Sequence, residues 1–212
     1  MRRFPPAPRR ALIAAVTTAL LATGVTGATG AVAAPAATAP DRTAAVPSRL
    51  LPLVERSAER LLTADEVAAA KWGTDSPVDD PARERQVLAD VARQATELGG
   101  DPAATVRIFR DQIEANKVVQ RALLRRWDAD PSRAPAERPD LSRIRREINR
   151  INGELVRAIA DSAAARTAPS CAGRLTAGAL ATVREKRLDV LHTAALARAL
   201  PSVCQDGTAA TR

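Results

Sequence analysis

An all-α protein is predicted by three observations. Alanine and leucine dominate, glycine is scarce with 10 residues in 212, and no stretch alternates with the period of two that a half-buried strand needs. Only four aromatic rings are present, two Trp and two Phe. The expectation is a single helical-bundle domain of about five to six helices over residues 48–205, with one disulfide, preceded by a signal peptide.

The chain opens with a targeting pattern. Arg2, Arg3, Arg9 and Arg10 form a positive n-region, Ala11 to Ala22 a short apolar core, and Ala31-Val32-Ala33 an A-x-A motif. Residues 1–33 therefore read as a signal peptide cleaved near Ala33, and the chain as secreted or periplasmic. The apolar run is too short and too Thr-interrupted for a comfortable membrane span, a retained signal anchor being the alternative. No membrane partner is expected after cleavage. Removing four arginines and no acids takes the net charge from +8 to +4, so the high pI is partly a property of the signal. The remaining excess is modest, aromatic interleaving is missing and no nucleic-acid module is present, so no nucleic-acid partner is expected. Residues 34–47, rich in Ala, Pro and Thr, read as a disordered leader, and residues 206–212 as a C-terminal tail. Between them lies enough chain for one domain with its own core.

The first helix is expected from about Ser48 to Trp72, with Leu50, Leu53, Val54, Ala58, Leu61 and Leu62 as its early apolar stripe and Gly73 as its stop. Thr63-Ala64-Asp65-Glu66 fits a capping box, so a break or kink is expected as an alternative there. Asp80-Pro81 starts a second helix with Val87, Leu88, Val91 and Ala95 on its buried side, and Gly99-Gly100 stops it. Asp101-Pro102 starts a third with the same chemistry, running to about Asp128 through Val106, Phe109, Ile113, Val119, Leu123 and Trp127. Residues 130–139 hold three prolines and read as a loop. Asp140 caps a fourth helix through Ile144, Ile148, Ile151, Leu155 and Ile159, expected to end near Pro169. Ser170 or Cys171 opens a last helical pair that reaches Leu200-Pro201.

Cys171 and Cys204 are the only cysteines, and an even pair in an exported chain reads as one disulfide clipping the C-terminal helix pair to itself. Such a closure contributes about 3–4 kcal/mol in the chain-entropy model. A metal site has no support: two Cys with the single His192 complete no zinc set at a usual spacing.

The stretch from Arg60 to Glu84 organises the functional reading. Arg60 and Lys71 are eleven residues apart, so an unbroken helix puts both on one face about 16 Å apart, with Ala64 and Val67 between them. Two cations separated by core-type residues suggest a charged pocket inside a bundle, suited to a small anion with more than one acidic group. With 32 Lys and Arg in the chain, the ordinary fate of any one of them is a solvated helix face, and Arg143, Arg145, Arg146 and Arg150 fit that description. Trp72 and Trp127 read as core anchors, and Asn116 and Gln120, one turn apart on one face, as surface polar residues. The functional reading rests on the combination of Arg60, Lys71, Asp80, Arg83, Glu84, Asn116, Gln120 and Arg145, each on a helix or a helix start.

In that combination, and in the stretches ERLLTADEVAAAKW, DDPARERQVL, VRIFRDQIEANKVVQRALLRRW and APAERPDLSRIR with the terminal Cys pair, the chain resembles the secreted, gamma-type chorismate mutases of the all-helical AroQ class. The resemblance covers about Leu50 to Cys204. It implies that Arg60 and Arg145 bind the substrate's two carboxylates with Arg83 beside them, and that Lys71 and Gln120 hydrogen-bond the ether oxygen of the breaking bond. Glu84 and the backbone near Asp80 would hold the ring hydroxyl. Asn116 stands where a small polar side chain is usual, an amide in place of the hydroxyl often seen there. Val87 stands where some relatives have a polar contact and is left out of the site. The resemblance also implies a homodimer with one pocket in each protomer, and a reaction of aromatic amino acid biosynthesis.

The inventory suits that chemistry. The chorismate dianion rearranges to prephenate through a unimolecular pericyclic transition state, for which no cofactor, metal, nucleophile or general base is expected. Needed instead are a pocket that holds the enolpyruvyl arm over the ring and fixed positive charge where the ether oxygen gains electron density. Arginine's planar fork suits carboxylates. The competing class is an exported helical module that binds a small dianion without turnover, and a lyase acting on isochorismate is a further enzymatic alternative.

Overall fold

The structure, a computed structural model, describes residues 48–205. The expected signal peptide, leader and C-terminal tail lie outside the described residues. Within them are seven α-helices and no strand: α1 (Leu51–Lys71), α2 (Pro81–Glu97), α3 (Pro102–Ala129), α4 (Leu141–Asp161), α5 (Ala163–Thr167), α6 (Cys171–Glu185) and α7 (Val190–Arg198). No helix among the described residues is long and apolar enough to cross a membrane.

α1 is the axis. It packs against α3, α4, α6 and α7, while α2 closes the bundle by packing on α3 and α4. Its buried side carries Leu53, Val54, Ala58, Leu61, Ala64 and Ala68. The small alanines in that row let neighbouring helices approach closely. Gly178 does the same for α6: a Cβ there would lie 3.6 Å from Cγ2 of Val54. α1 runs unbroken through Thr63–Glu66. Thr63 does not cap; its hydroxyl donates to the carbonyl of Arg60 at 2.7 Å. The apolar row continues on both sides of it, so packing overrides the local capping signal.

The next two starts are as expected. Asp80 accepts from the backbone N–H of Arg83, and Asp101 from that of Ala104, each at 3.0 Å with proline in the first turn. Gly73 and Gly99 both take positive φ, +67° and +69°, where a Cβ would be strained. The loop of residues 130–139 contains one 3₁₀ turn, Pro131–Arg133. Trp127 is buried and meets partly buried Trp72 edge-to-face at 5.8 Å, tying the C-terminal ends of α1 and α3 together.

One boundary differs. The fourth helix ends at Asp161, not near Pro169, because Ser162 leaves helical geometry and its hydroxyl donates to the carbonyl of Ile159. The turn brings Arg166 inward, where its Nε donates to the carbonyl of Val203 at 3.0 Å. The short α5 that results takes the helix count to seven. Cys171 opens α6 and is bonded to Cys204 beyond α7, so the bridge closes the C-terminal helices on themselves.

His192 is buried at the start of α7 between two carboxylates, with Nδ1 2.7 Å from Asp189 and Nε2 3.0 Å from Asp65 of α1. The hydrogen bond to Asp65 is the largest cause lifting its pKa, burial opposes it, and Asp189 adds to it, leaving the imidazole at about 9. A folded pKa above the unfolded value of about 6.5 stabilises fully below pH 6.5 and is lost as pH rises towards 9. Because both aspartates are about half exposed, solvent screening limits the contribution to about 1–2 kcal/mol. The thermal midpoint is expected to fall between pH 6.5 and 9, and to fall less in His192→Gln. Scanning calorimetry of both chains across that window checks it; parallel curves contradict the assignment.

Candidate functional site

A cavity of about 240 Å³ opens between the first four helices. α1 contributes Arg60, Thr63, Val67 and Lys71, a stripe at helical spacing. α2 and its N-cap contribute Asp80, Arg83, Glu84 and Val87, and α3 contributes Ile113, Asn116, Lys117 and Gln120 at i, i+3, i+4 and i+7. α4 adds Leu141, Arg145 and Ile148, and Ser76, Pro77 and Val78 of the connecting loop form a roof. All eight residues singled out in the sequence line this one cavity. A small apolar cluster of Val67, Ala70 and Ile144, with Leu141 and Ile148 against it, joins the end of α1 to the start of α4 beside Lys71 and Arg145.

Arg60 is the least exposed cation of the cavity, at 5%. Its Nε donates to Oδ1 of Asn152 on α4 at 2.9 Å and its Nη1 to the carbonyl of Gln112 on α3 at 3.0 Å. The guanidinium carbon lies 5.7 Å from the centre of the Phe109 ring. Burial lowers its pKa to about 10, which still leaves it charged at neutral pH. With Nε and one N–H of Nη1 engaged by the scaffold, Nη2 and the second N–H of Nη1 remain to meet a ligand.

Asn116 and Gln120 are buried, not surface residues. Nδ2 of Asn116 donates to the carbonyl of Arg60 at 3.3 Å, which leaves its Oδ1 to accept from Nε2 of Gln120 at 2.6 Å. A backbone carbonyl can only accept, so it fixes the Asn116 amide, and that amide in turn fixes Gln120. The second N–H of Gln120 remains for a ligand. Its Oε1 is buried with no partner in the described structure.

Lys71 Nζ donates to the carbonyls of Pro77 at 2.8 Å and Val78 at 3.4 Å, binding the roof to the end of α1. An ammonium has three protons, so one is left for the cavity. Burial lowers its pKa, Asp80 raises it and Arg145 lowers it. Arg83 donates to Gln86 on its own helix and to Asn149 on α4. Arg145 is exposed at the cavity mouth, which reconciles its placement here with its appearance as a charged-face residue. Among the ionisable lining residues, the cations Arg60, Lys71, Arg83, Lys117 and Arg145 outnumber the carboxylates Asp80 and Glu84. Asp80 is partly occupied as a helix cap. Such a cavity favours a ligand with more than one negative charge.

Sequence reasoning missed Lys117. Its signal is position: it sits one residue from Asn116, in the stripe Ile113–Lys117–Gln120 where the bundle otherwise buries apolar or amide side chains. The roof residues Ser76, Pro77 and Val78 were also missed, since nothing in a short Ser-Pro loop indicates that it folds over a cavity.

Comparison with known proteins gives concordant results. Residues 37–121 match the family model described as chorismate mutase type II. The chain is 38% identical over 158 residues to a secreted chorismate mutase of Mycobacterium tuberculosis, covering 74% of this chain and 79% of that one. It is 37% identical over 166 residues to a secreted chorismate mutase of Mycolicibacterium smegmatis, covering 78% and 92%. Among solved structures, a chorismate mutase from Burkholderia phymatum superposes with a TM-score of 0.70 at 38% identity, covering 75% of this chain and 98% of that chain.

Proposed function

The chain belongs to the type II chorismate mutases and is an isomerase of that family, and from that premise we propose that its cavity rearranges chorismate to prephenate by conformational and electrostatic stabilisation alone. The observation that carries the proposal is the convergence of Arg60, Lys71, Arg83, Asn116, Gln120 and Arg145 on one partly enclosed cavity. His192 is held elsewhere, by Asp65 and Asp189.

In this reading Arg60 from the floor and Arg145 from the mouth take the two carboxylates, with Arg83 between α2 and α4 assisting. Holding both ends of the dianion brings the enolpyruvyl methylene over the ring carbon to which it bonds. The rearrangement is then a single cyclic shift: the ether C–O bond breaks, the C–C bond forms and the double bonds move, with no proton transferred. Pre-paying that orientation lowers the barrier, because the free arm samples many unproductive rotamers. As the C–O bond breaks, negative charge accumulates on the ether oxygen. In this reading the remaining proton of Lys71 and the second N–H of Gln120 meet it, Lys71 being held by the roof carbonyls and Gln120 by Asn116. Glu84 and the start of α2 take the ring hydroxyl. Asn116 acts by orienting Gln120, which accounts for an amide where a hydroxyl was expected.

Export fits the N-terminal pattern of residues 1–33 and the secreted relatives, with cleavage near Ala33. A homodimer with one cavity per protomer fits the same family, and all eight expected site residues line one cavity of a single chain. Prephenate formation places the activity in aromatic amino acid biosynthesis.

The first test is chorismate consumption by the exported chain with its disulfide intact, prephenate being identified as product. Turnover is expected in the wild type and is expected to be lost in Arg83→Ala with helicity unchanged. Tight chorismate binding without turnover would instead indicate a binding module. Lys71→Ala is expected to lower kcat/KM by about 10²–10³, the scale of one preorganised donor to a developing oxyanion. Near-normal turnover would remove Lys71 from the site.

A second prediction concerns pH. A glutamine amide donates at any pH, and Arg60 at about 10 stays charged well above neutrality. The turnover rate is expected to be flat from pH 5 to 8, and to fall on the alkaline side earlier than an ordinary lysine would dictate, because the pKa of Lys71 is lowered. Gln120→Glu is expected to favour acid, since a carboxyl must be protonated to donate. A steep acid-favoured profile in the wild type contradicts the assignment.

A further inference from the structure

Lys117 is the one cavity cation that the rearrangement, as argued above, leaves without a task. It is 8% exposed, on α3, between Asn116 and Gln120. Its ammonium meets three carboxylates: Glu114 at 2.5 Å, Glu84 at 3.2 Å and Asp79 at 3.2 Å. These come from three places, its own helix, the first turn of α2, and the last residue of the roof segment before the Asp80 cap. Burial pulls its pKa down, but the hydrogen bonds it donates to Glu114, Glu84 and Asp79 outweigh burial and leave it above the ordinary lysine value.

Two consequences follow for the cavity. Glu84 lines it, and a bare carboxylate there would repel a dianion. Lys117 engages Oε1 of Glu84, which offsets that charge and leaves Oε2 as the acceptor for a hydroxyl proton. Asp79 is gripped from α3 by Lys117 and, one turn further on, by Arg121, whose Nη2 donates to Oδ1 at 2.6 Å and to Oδ2 at 2.7 Å. The roof is therefore tied at one end by Lys71 on the carbonyls of Pro77 and Val78 and at the other by two α3 cations on Asp79.

We propose that Lys117 is a positioning residue for the mutase reaction, holding Glu84 in a single orientation and screening its charge from the dianionic substrate while fixing the roof to α3. The proposal rests on the assignment of the cavity to chorismate. It predicts a defect in binding: the lysine touches neither the ether oxygen nor the carboxylate-binding arginines, so its loss removes interaction common to ground and transition states.

The test is steady-state kinetics on the exported chain, disulfide intact, comparing wild type with Lys117→Met, Lys117→Arg, Glu84→Gln and the double variant Lys117→Met/Glu84→Gln, with helicity and melting temperature recorded for each. Lys117→Met is expected to raise KM for chorismate about tenfold or more with kcat within about threefold, the pattern of lost uniform binding. Lys117→Arg, which keeps the cation, is expected to stay within about threefold of wild type in both. In the Glu84→Gln background, where no carboxylate charge is left to screen, adding Lys117→Met is expected to change KM by less than about threefold. A lysine needed only for packing would raise KM equally in both backgrounds. An unchanged KM in Lys117→Met, or a rise of the same size when Lys117→Met is added to Glu84→Gln, overturns the proposal. If Lys117→Met does not fold, Lys117→Gln with and without Glu84→Gln makes the same comparison on the same terms. Absence of turnover in the wild type sinks the assignment to chorismate and this proposal together, whereas an active wild type with indifferent Lys117 variants sinks this proposal alone.

Discussion

The structure depends on keeping one guanidinium charged in a place that water hardly reaches. Isolating a cation inside a bundle is costly, and a protein tolerates it only if the polar hydrogens find partners and the charge has a use. Arg60 satisfies the first condition through three contacts from two helices: the Asn152 amide from α4, and the Gln112 carbonyl and the Phe109 ring from α3. Each contact requires its helix to stand close to α1 at one register. The alanines of α1 permit that approach, and an unbroken α1 is what points Arg60, Thr63, Val67 and Lys71 into the same space. A kink at Thr63 would have rotated Lys71 off the stripe.

The polar side chains of the cavity are arranged in chains of orientation rather than as independent groups. The backbone of Arg60 orients Asn116, which orients Gln120. The roof carbonyls hold Lys71, and the roof is held in turn from α3 by Lys117 and Arg121. Each end point is a donor with protons left over. For the proposed rearrangement, which transfers no proton, a donor already fixed by the scaffold needs little reorganisation when charge develops.

Much of this was legible in the chain. Asp-Pro at 80–81 and 101–102 marks two helix starts because aspartate satisfies the free backbone donors and proline sets φ for the first turn. The eleven-residue spacing of Arg60 and Lys71 gave their shared face, and the even Cys pair gave the bridge. What stayed hidden depends on tertiary context. The capping pattern at Thr63 is local chemistry that a continuous apolar row overrides. The end of α4 at Asp161 depends on Arg166 finding Val203, a partner 37 residues away. Asn116 and Gln120 resemble surface residues until α1 lies across them. Lys117 reads as one lysine among 32 cations, since its meaning comes from carboxylates on α2 and in the roof.

The C-terminal helices line no part of the cavity, yet they reach it through a short series of contacts. The disulfide joins the start of α6 to the segment after α7, and the buried Arg166 holds Val203 of that segment. Immediately before it, the carbonyl of Ala199 accepts from Nε2 of Gln112 at 3.0 Å, and Ser202 N–H donates to Asp111. Gln112 is the residue whose own carbonyl holds Nη1 of Arg60. The side chain of Gln112 is thus anchored to the clipped C-terminal segment while its backbone anchors the buried arginine of the cavity. A covalent clip restricts the unfolded alternatives open to this segment. The bridge therefore serves more than the helix pair it closes: it fixes the outer end of the contact series whose inner end is the buried guanidinium.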